Sequence, residues 1–276
     1  MRSDKISHVK EICRQIRINT VRTSSEKRIP HLGSCLSCVE IICYLYWIEM
    51  QISPDKPYCD SRDRFILSKG HAAPVLFQIL AARGYFDRDL LREFGKEGGV
   101  FHEHPPAPGL IPGIEAATGS LGHGLPIGLG IALALRIKKL ENRVYVVLGD
   151  GECNEGSIWE AAMLASAKRL DHLTVIIDFN KWQATGRSCE IMSLKPLLSK
   201  WEAFGWHAQE INGHDIIAIH QAFAEAKRNK ELPSIIIAHT IKGKGVSFME
   251  DDNNWHYRTP SPQELAAALS ELESTP

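Results

Sequence analysis

VVLGDGECNEG, residues 146–156, decides the fold. Its apolar start continues a β-branched and aromatic run, RVYVVL at residues 143–148, which suits a strand buried on both faces of a parallel sheet. The run stops at Gly149-Asp150-Gly151, and Asp150, Glu152 and Glu155 all fall within six positions. A glycine turn after a buried strand commonly receives a phosphate, yet here an aspartate sits in the turn. Two more apolar runs, 172–178 (HLTVIID) and 234–239 (SIIIAH), read as buried strands, and helical spacing over 159–170 and 216–229 alternates with them. That alternation predicts an α/β fold: βαβ units in a parallel sheet flanked by helices, with right-handed crossovers.

Outward from this core, residues 3–22 suggest a first helix, 24–34 (SSEKRIPHLGS) a polar loop, and 37–49 a second helix ended by SPDKP. Residues 64–68 are a short apolar run, and Gly70-His71-Ala72 opens another helix. The Gly- and Pro-rich stretch 94–124 is expected to be mostly loop, with function as the reason for its length. Residues 125–135 (LPIGLGIALAL) read as a buried helix too short to span a bilayer. Ser261 and Glu264 can form a capping box around Pro262, starting a C-terminal helix over about 262–272. No repeat or linker divides the chain, so 1–276 is expected to be one domain with its core at about 10–260.

A length of 276 residues allows a substantial buried core. The net charge of −1 gives no reason to expect nucleic acid as a partner. The N-terminus lacks the apolar stretch of a secretory signal, and no membrane partner is expected. Seven irregularly spaced cysteines argue for reduced thiols and a cytoplasmic location. Cys35 and Cys38 form a CxxC, but no second pair completes a zinc site, so they are expected to be buried as small hydrophobes.

In a parallel sheet, ligands collect at the carboxyl ends of the strands. Asp150 lies just past one strand end and Asn180 just past the next, thirty positions on, which is the separation that one helix and one strand require. One carboxylate and one carboxamide then share a space, each offering oxygen. Mg²⁺ takes oxygen donors, often only one or two from protein and the rest from phosphate and water. The acid can therefore sit beside a diphosphate because a divalent cation lies between them. Other readings of the glycines fit less well. A dinucleotide fingerprint needs G-x-G-x-x-G, and a P-loop needs lysine followed by Ser or Thr, which Gly243-Lys244-Gly245 does not supply. The plain alternative is an acidic loop capping a helix, with Asn180 as a turn residue.

GDG-x₂-NEG followed by DFNK at 178–181 resembles the thiamin diphosphate motif, and in detail that of transketolases. His31-Leu32-Gly33, Ser68-Lys69-Gly70-His71, Glu103-His104-Pro105, the TGSLGHG loop at 118–124, and Thr240–Gly245 with His256 resemble further ordered segments of that family. The resemblance covers roughly residues 10–260 and implies the family's thiamin-diphosphate-binding fold. It implies that Asp150 and Asn180 bind Mg²⁺ (or Ca²⁺ or Mn²⁺ in its place) by side chains and Trp182 by its backbone carbonyl. Gly151, His71, Lys242 and His256 would approach the diphosphate, and Gly119 and Leu121 would flank the rest of the cofactor. Gly149, Ala184 and Glu155 complete the implied cofactor-binding set, with Glu155 and Glu160 also near the subunit interface.

Of twelve histidines, His31, His71, His104 and His256 each fall among motif residues, and imidazole can both hold a sugar hydroxyl and move a proton. These four are assigned catalytic roles in substrate orientation and proton transfer. His8, His172, His207 and His220 read as structural or surface residues, and His102 and His123 as loop contacts. Full-length transketolases continue the KW segment with an acidic residue before the glycine, where this chain has Gln183-Ala184-Thr185-Gly186; Glu152 and Cys153 also depart from the common pattern.

The resemblance implies a transferase that moves a two-carbon ketol unit from a ketose to an aldose, with sugars or sugar phosphates as substrates. It reaches only the first of three transketolase domains. A second subunit carrying the pyrimidine-binding and C-terminal domains is therefore expected, in an α₂β₂ heterotetramer with an apolar face for docking. The alternative keeps thiamin diphosphate but takes a 2-oxoacid donor, with acyl transfer to a sugar or lipoamide.

Overall fold

In the computed structural model, residues 3–274 are described, and among them one five-stranded sheet forms the centre. Its strands are β1 (Arg64–Leu67), β2 (Val144–Gly149), β3 (Leu173–Phe179), β4 (His207–Asn212) and β5 (Ser234–His239). All neighbours pair in parallel, in the order β1-β2-β3-β5-β4. The α/β expectation holds, as does each of the three strands expected from apolar runs.

Alternate residues of each central strand feed two cores. Tyr145, Val147, Ile176 and Ile236 face one, under helices Val39–Tyr44, Ala73–Ala82 and Ile216–Arg228. Val146, Leu148, Val175, Ile177 and Ile235 face the other, under helices Gly124–Ile137 and Gly156–Ala167. Burial on both faces explains why β2, β3 and β5 are continuous apolar runs, each fully buried Val or Ile contributing about 1.5–3 kcal/mol. A third cluster packs Trp255, Val246 and Met249 against helices Ser3–Lys27 and Pro262–Ser274.

Several elements differ from the sequence expectation. β4, HAQEIN, carries no apolar run to announce it, because an edge strand is covered only in part. The polar loop over 24–34 is shorter than expected: the first helix runs to Lys27 and a new one, Leu32–Ser37, starts right after His31. The helix expected over 37–49 starts at Val39, after a break at Cys38 that ends the Leu32–Ser37 helix, and it finishes in a π-helical turn over Leu45–Glu49. The C-terminal helix starts as expected, with Ser261 N–H donating to Glu264 (2.9 Å) and Glu264 N–H to the Ser261 hydroxyl (3.2 Å). Cys35 and Cys38 are buried, and burial pushes the Cys35 thiol up to about 12, the inert state of a packed cysteine. No described helix is long and apolar enough to cross a membrane.

Candidate functional site

The sheet register creates the site. Gly149 of β2 pairs with Asp178 of β3, so Asp150 and Asn180 emerge beside each other at the carboxyl ends. Both border one cleft of about 360 Å³. Asp150 is 1% exposed and accepts a hydrogen bond from the Ser188 hydroxyl at 2.6 Å. Burial pushes its carboxyl up to about 6, against the pull of Ser188. Asn180 Oδ1 accepts the Trp182 N–H at 3.1 Å, a short turn through Lys181 at φ 71° that brings Trp182 to the cleft wall.

The fit of a cation and a diphosphate rests on three features. The donors are oxygen, which suits a hard divalent ion. Among the described residues no three His, Cys, Asp or Glu side chains gather into a metal cluster, so further ligands would come from backbone, water or phosphate. A Cβ built on Gly149 would meet only Lys69 Cβ, at 3.8 Å, so any side chain there would occupy cleft space. The residues present fit the group.

Lys242 does not border the cleft; it stands behind His256. Its Nζ lies 2.7 Å from Asn253 Oδ1 and 2.9 Å from His256 Nδ1, with no carboxylate in ion-pair range among the described residues. Burial, and then the Lys69 cation, push its pKa down to about 7. A buried cation without a counter-ion is suited to an arriving anion.

The structure brings His31, His71, His104 and His256 together along that cleft. The His31 ring lies 5.4 Å from His71, 6.4 Å from His104 and 5.0 Å from His256, centre to centre. Burial, followed by neighbouring cations and histidines, pushes His31 down to about 4, His256 to about 3 and His71 well below its usual value. These three rings are neutral at pH 7, each with one donor and one acceptor nitrogen. His31 Nδ1 is buried with no hydrogen-bond partner. Its backbone is left-handed at φ 66°, held by its N–H donating to His256 C=O at 2.7 Å.

Gly119, Leu121, Gly151, Glu155 and Ala184 also border the cleft, whereas Glu160 lies outside it on the exposed face of its helix. Gly119 (φ 146°) is the close-approach glycine, since a Cβ there would meet His104 Cδ2 at 2.7 Å. His102 and His123 make only loop contacts, to Gly99 and Leu121 carbonyls, and His172 bonds the Ala132 carbonyl.

Three charged groups had no role assigned from the sequence. Glu152, 2% exposed, accepts N–H bonds from Gly149 (3.1 Å) and Gly122 (2.9 Å) and the Ser68 hydroxyl bond, tying the GDG turn to the TGSLGHG loop. Lys69 pairs with Asp178 under the cleft, and Asp178 also accepts from Ser37 (2.6 Å) and Thr240. An acid ending the apolar run TVIID was the available signal for Asp178. Gln183 packs over Gly151, where a Cβ would meet Gln183 Cγ at 2.8 Å.

Residues 8–272 match the family described as transketolase, thiamine diphosphate binding domain. An apulose-4-phosphate transketolase subunit of Phocaeicola vulgatus is 41% identical over 242 residues, which cover 88% of this chain and 85% of that protein. The 6-deoxy-6-sulfo-D-fructose transketolase subunit SqwG of Clostridium sp. is 43% identical over 258 residues, 94% of each. The solved transketolase from Leishmania mexicana superposes with a TM-score of 0.89 at 27% identity, over 96% of this chain but 41% of that one. The chain thus spans about two-fifths of that transketolase's length. With sequence and fold both matched over nearly its whole length, the chain belongs to the transketolase family, as a thiamine diphosphate binding domain.

Proposed function

We propose that this chain is the diphosphate- and Mg²⁺-binding subunit of a thiamin-diphosphate-dependent transketolase, moving a two-carbon ketol unit from a ketose to an aldose. The observation that carries this reading is the meeting of Asp150, Asn180 and four histidines around one cleft. When bound, thiamin diphosphate supplies the nucleophilic carbon and the electron sink for breaking and making a carbon–carbon bond. Asp150 and Asn180 offer side-chain oxygens and Trp182 its carbonyl to the cation, with Ca²⁺ or Mn²⁺ as substitutes. Lys242 supplies positive charge behind His256, Gly149 keeps the floor clear, and Gly151 lies beside the diphosphate with Gln183 packed against it. His31, His71, His104 and His256 hold sugar hydroxyls, and a nearby anion raises their basicity toward the range where protons exchange near pH 7.

The chain acts as one domain, and a second subunit with the pyrimidine-binding and C-terminal domains completes the active site in an α₂β₂ assembly. Two relatives named as subunits match this chain over most of their own length, in support of that division. Ile127, Ile137, Met163 and Leu164, exposed on two helices that pack together beside Leu121 and Glu155, supply the docking face. Seven free thiols fit a reducing, cytoplasmic setting.

The test is reconstitution. The chain, its partner, thiamin diphosphate and Mg²⁺ together should transfer a ketol unit from a ketose, and neither polypeptide should do so by itself. Asp150→Ala should abolish cofactor binding by titration calorimetry; retained binding overturns the site assignment. Turnover of pyruvate in place of every ketose offered would favour acyl transfer instead.

A further inference from the structure

Against the loop that carries Lys242 lie three charged or titratable groups that the proposed reaction does not use. Arg17 (helix Ser3–Lys27), Glu40 (helix Val39–Tyr44) and His214 (after β4) come from distant parts of the chain. Arg17 Nη2 donates to Glu40 at 2.7 Å, and His214 Nδ1 lies 3.0 Å from Glu40 Oε2. Burial alone would raise the Glu40 carboxyl; the Arg17 guanidinium and His214 outweigh it and hold it down at about 2. A buried ionic triad loses so much hydration that apolar residues in its place often give equal stability. Stability is therefore no sufficient reason for it, and its outward bonds point to another.

Two outward bonds end on the loop that carries Lys242, while a third, longer one runs from Arg17 Nη2 to the Leu36 carbonyl at 3.4 Å. Ile241 N–H donates to His214 Nε2 at 2.9 Å, and Arg17 Nε donates to the Lys244 carbonyl at 2.9 Å. An N–H can only donate, so Nε2 is the acceptor nitrogen, Nδ1 carries the proton, and that proton goes to Glu40. The loop needs restraint, because Gly243 and Gly245 stand at φ 78° and 100°, and glycine is the residue with the most freedom to lose. A Cβ on Gly245 would meet Arg17 Cδ at 2.8 Å, so the loop packs closely against the Arg17 side chain.

We infer that Arg17, Glu40 and His214 are positioning residues that clamp residues 241 and 244 and so hold Lys242 in place before an anion arrives. The clamp rests on the reading that Lys242 serves the cofactor's diphosphate. His214→Leu removes the bonds to Glu40 and to Ile241 and leaves the Arg17 bond to Lys244; His214→Gln keeps one acceptor and one donor.

In the full chain, hydrogen exchange at the 241–245 amides should rise about tenfold in His214→Leu and return toward the original rate in His214→Gln. Affinity for thiamin diphosphate with Mg²⁺ should fall in His214→Leu by about the 10–100-fold that outer-shell losses cause. In a Lys242→Met background the His214→Leu step should have little further effect, because the two act as one unit. Unchanged exchange in His214→Leu overturns the clamp, as does an equal affinity loss in both backgrounds, which is the result of a purely structural role. Unchanged affinity in Lys242→Met would instead sink the reading of Lys242, while the exchange result still decides whether the loop is clamped.

Discussion

Lys242 shows how one residue's surroundings set its chemistry. Its pKa, down to about 7 from an ordinary value of 10.5, means that the charged form is penalised in the folded chain. The penalty is absent above about 10.5 and complete below about 7, so this group makes the ligand-free chain less stable as pH falls across that window. A bound diphosphate reverses the preference and favours the ammonium. At pH 8, thiamin diphosphate binding should therefore take up a proton, up to about one per site, and affinity should weaken as pH rises past 8. Calorimetry in two buffers of different ionisation enthalpy measures that uptake; proton release would contradict it. At pH 8 the Asp150 carboxyl, at about 6, is already ionised and adds nothing to the count. Lys242 was legible in the sequence only as part of a motif, since its missing counter-ion is a fact of packing.

At the scale of elements, the end of β3 does three jobs within a few residues. Ile177 packs the core, Asp178 pairs with buried Lys69, and Asn180 turns toward the cleft. Asp178→Ala would leave Lys69 buried without its partner, a loss of about 3–5 kcal/mol. Urea denaturation should show the midpoint falling with little change in slope, and an unchanged midpoint would show that water reaches Lys69. Glu152→Ala should orphan two backbone N–H groups, Gly149 in the GDG turn and Gly122 in the 118–124 loop, at about 1–3 kcal/mol each, and so untie the two loops. Periodicity exposed β2, β3 and β5 because burial on both faces leaves one pattern open to a strand. It missed β4, whose edge position asks only for partial cover, and it read the start of the Leu32–Ser37 helix as loop. Both follow from packing, which local sequence does not encode.

For the whole molecule, the exposed apolar helix faces are the feature that the isolated chain does not use. Ile137 is 81% exposed and Met163 54%. When the partner polypeptide is added, amides across Gly124–Ile137 and Gly156–Ala167 should gain protection from exchange, and Met163→Glu should weaken association without altering the chain's own melting. Protection elsewhere, with these helices unchanged, would move the interface.

The sequence by itself determined the parallel sheet, the strand ends that carry Asp150 and Asn180, and the four histidines worth attention. The sheet and its strand ends follow from local rules, since β-branched runs need two-sided burial and ligands gather where parallel strands end, whereas the histidines stand out by their place in the motifs that resemble the family. Only the tertiary structure decided that the four imidazoles share one cleft, that Lys242 waits without a counter-ion, that Glu152 ties two loops together, and that Arg17, Glu40 and His214 grip the lysine's loop. Each of these depends on groups far apart in the chain meeting at distances near 3–6 Å, and on how much water their meeting excludes.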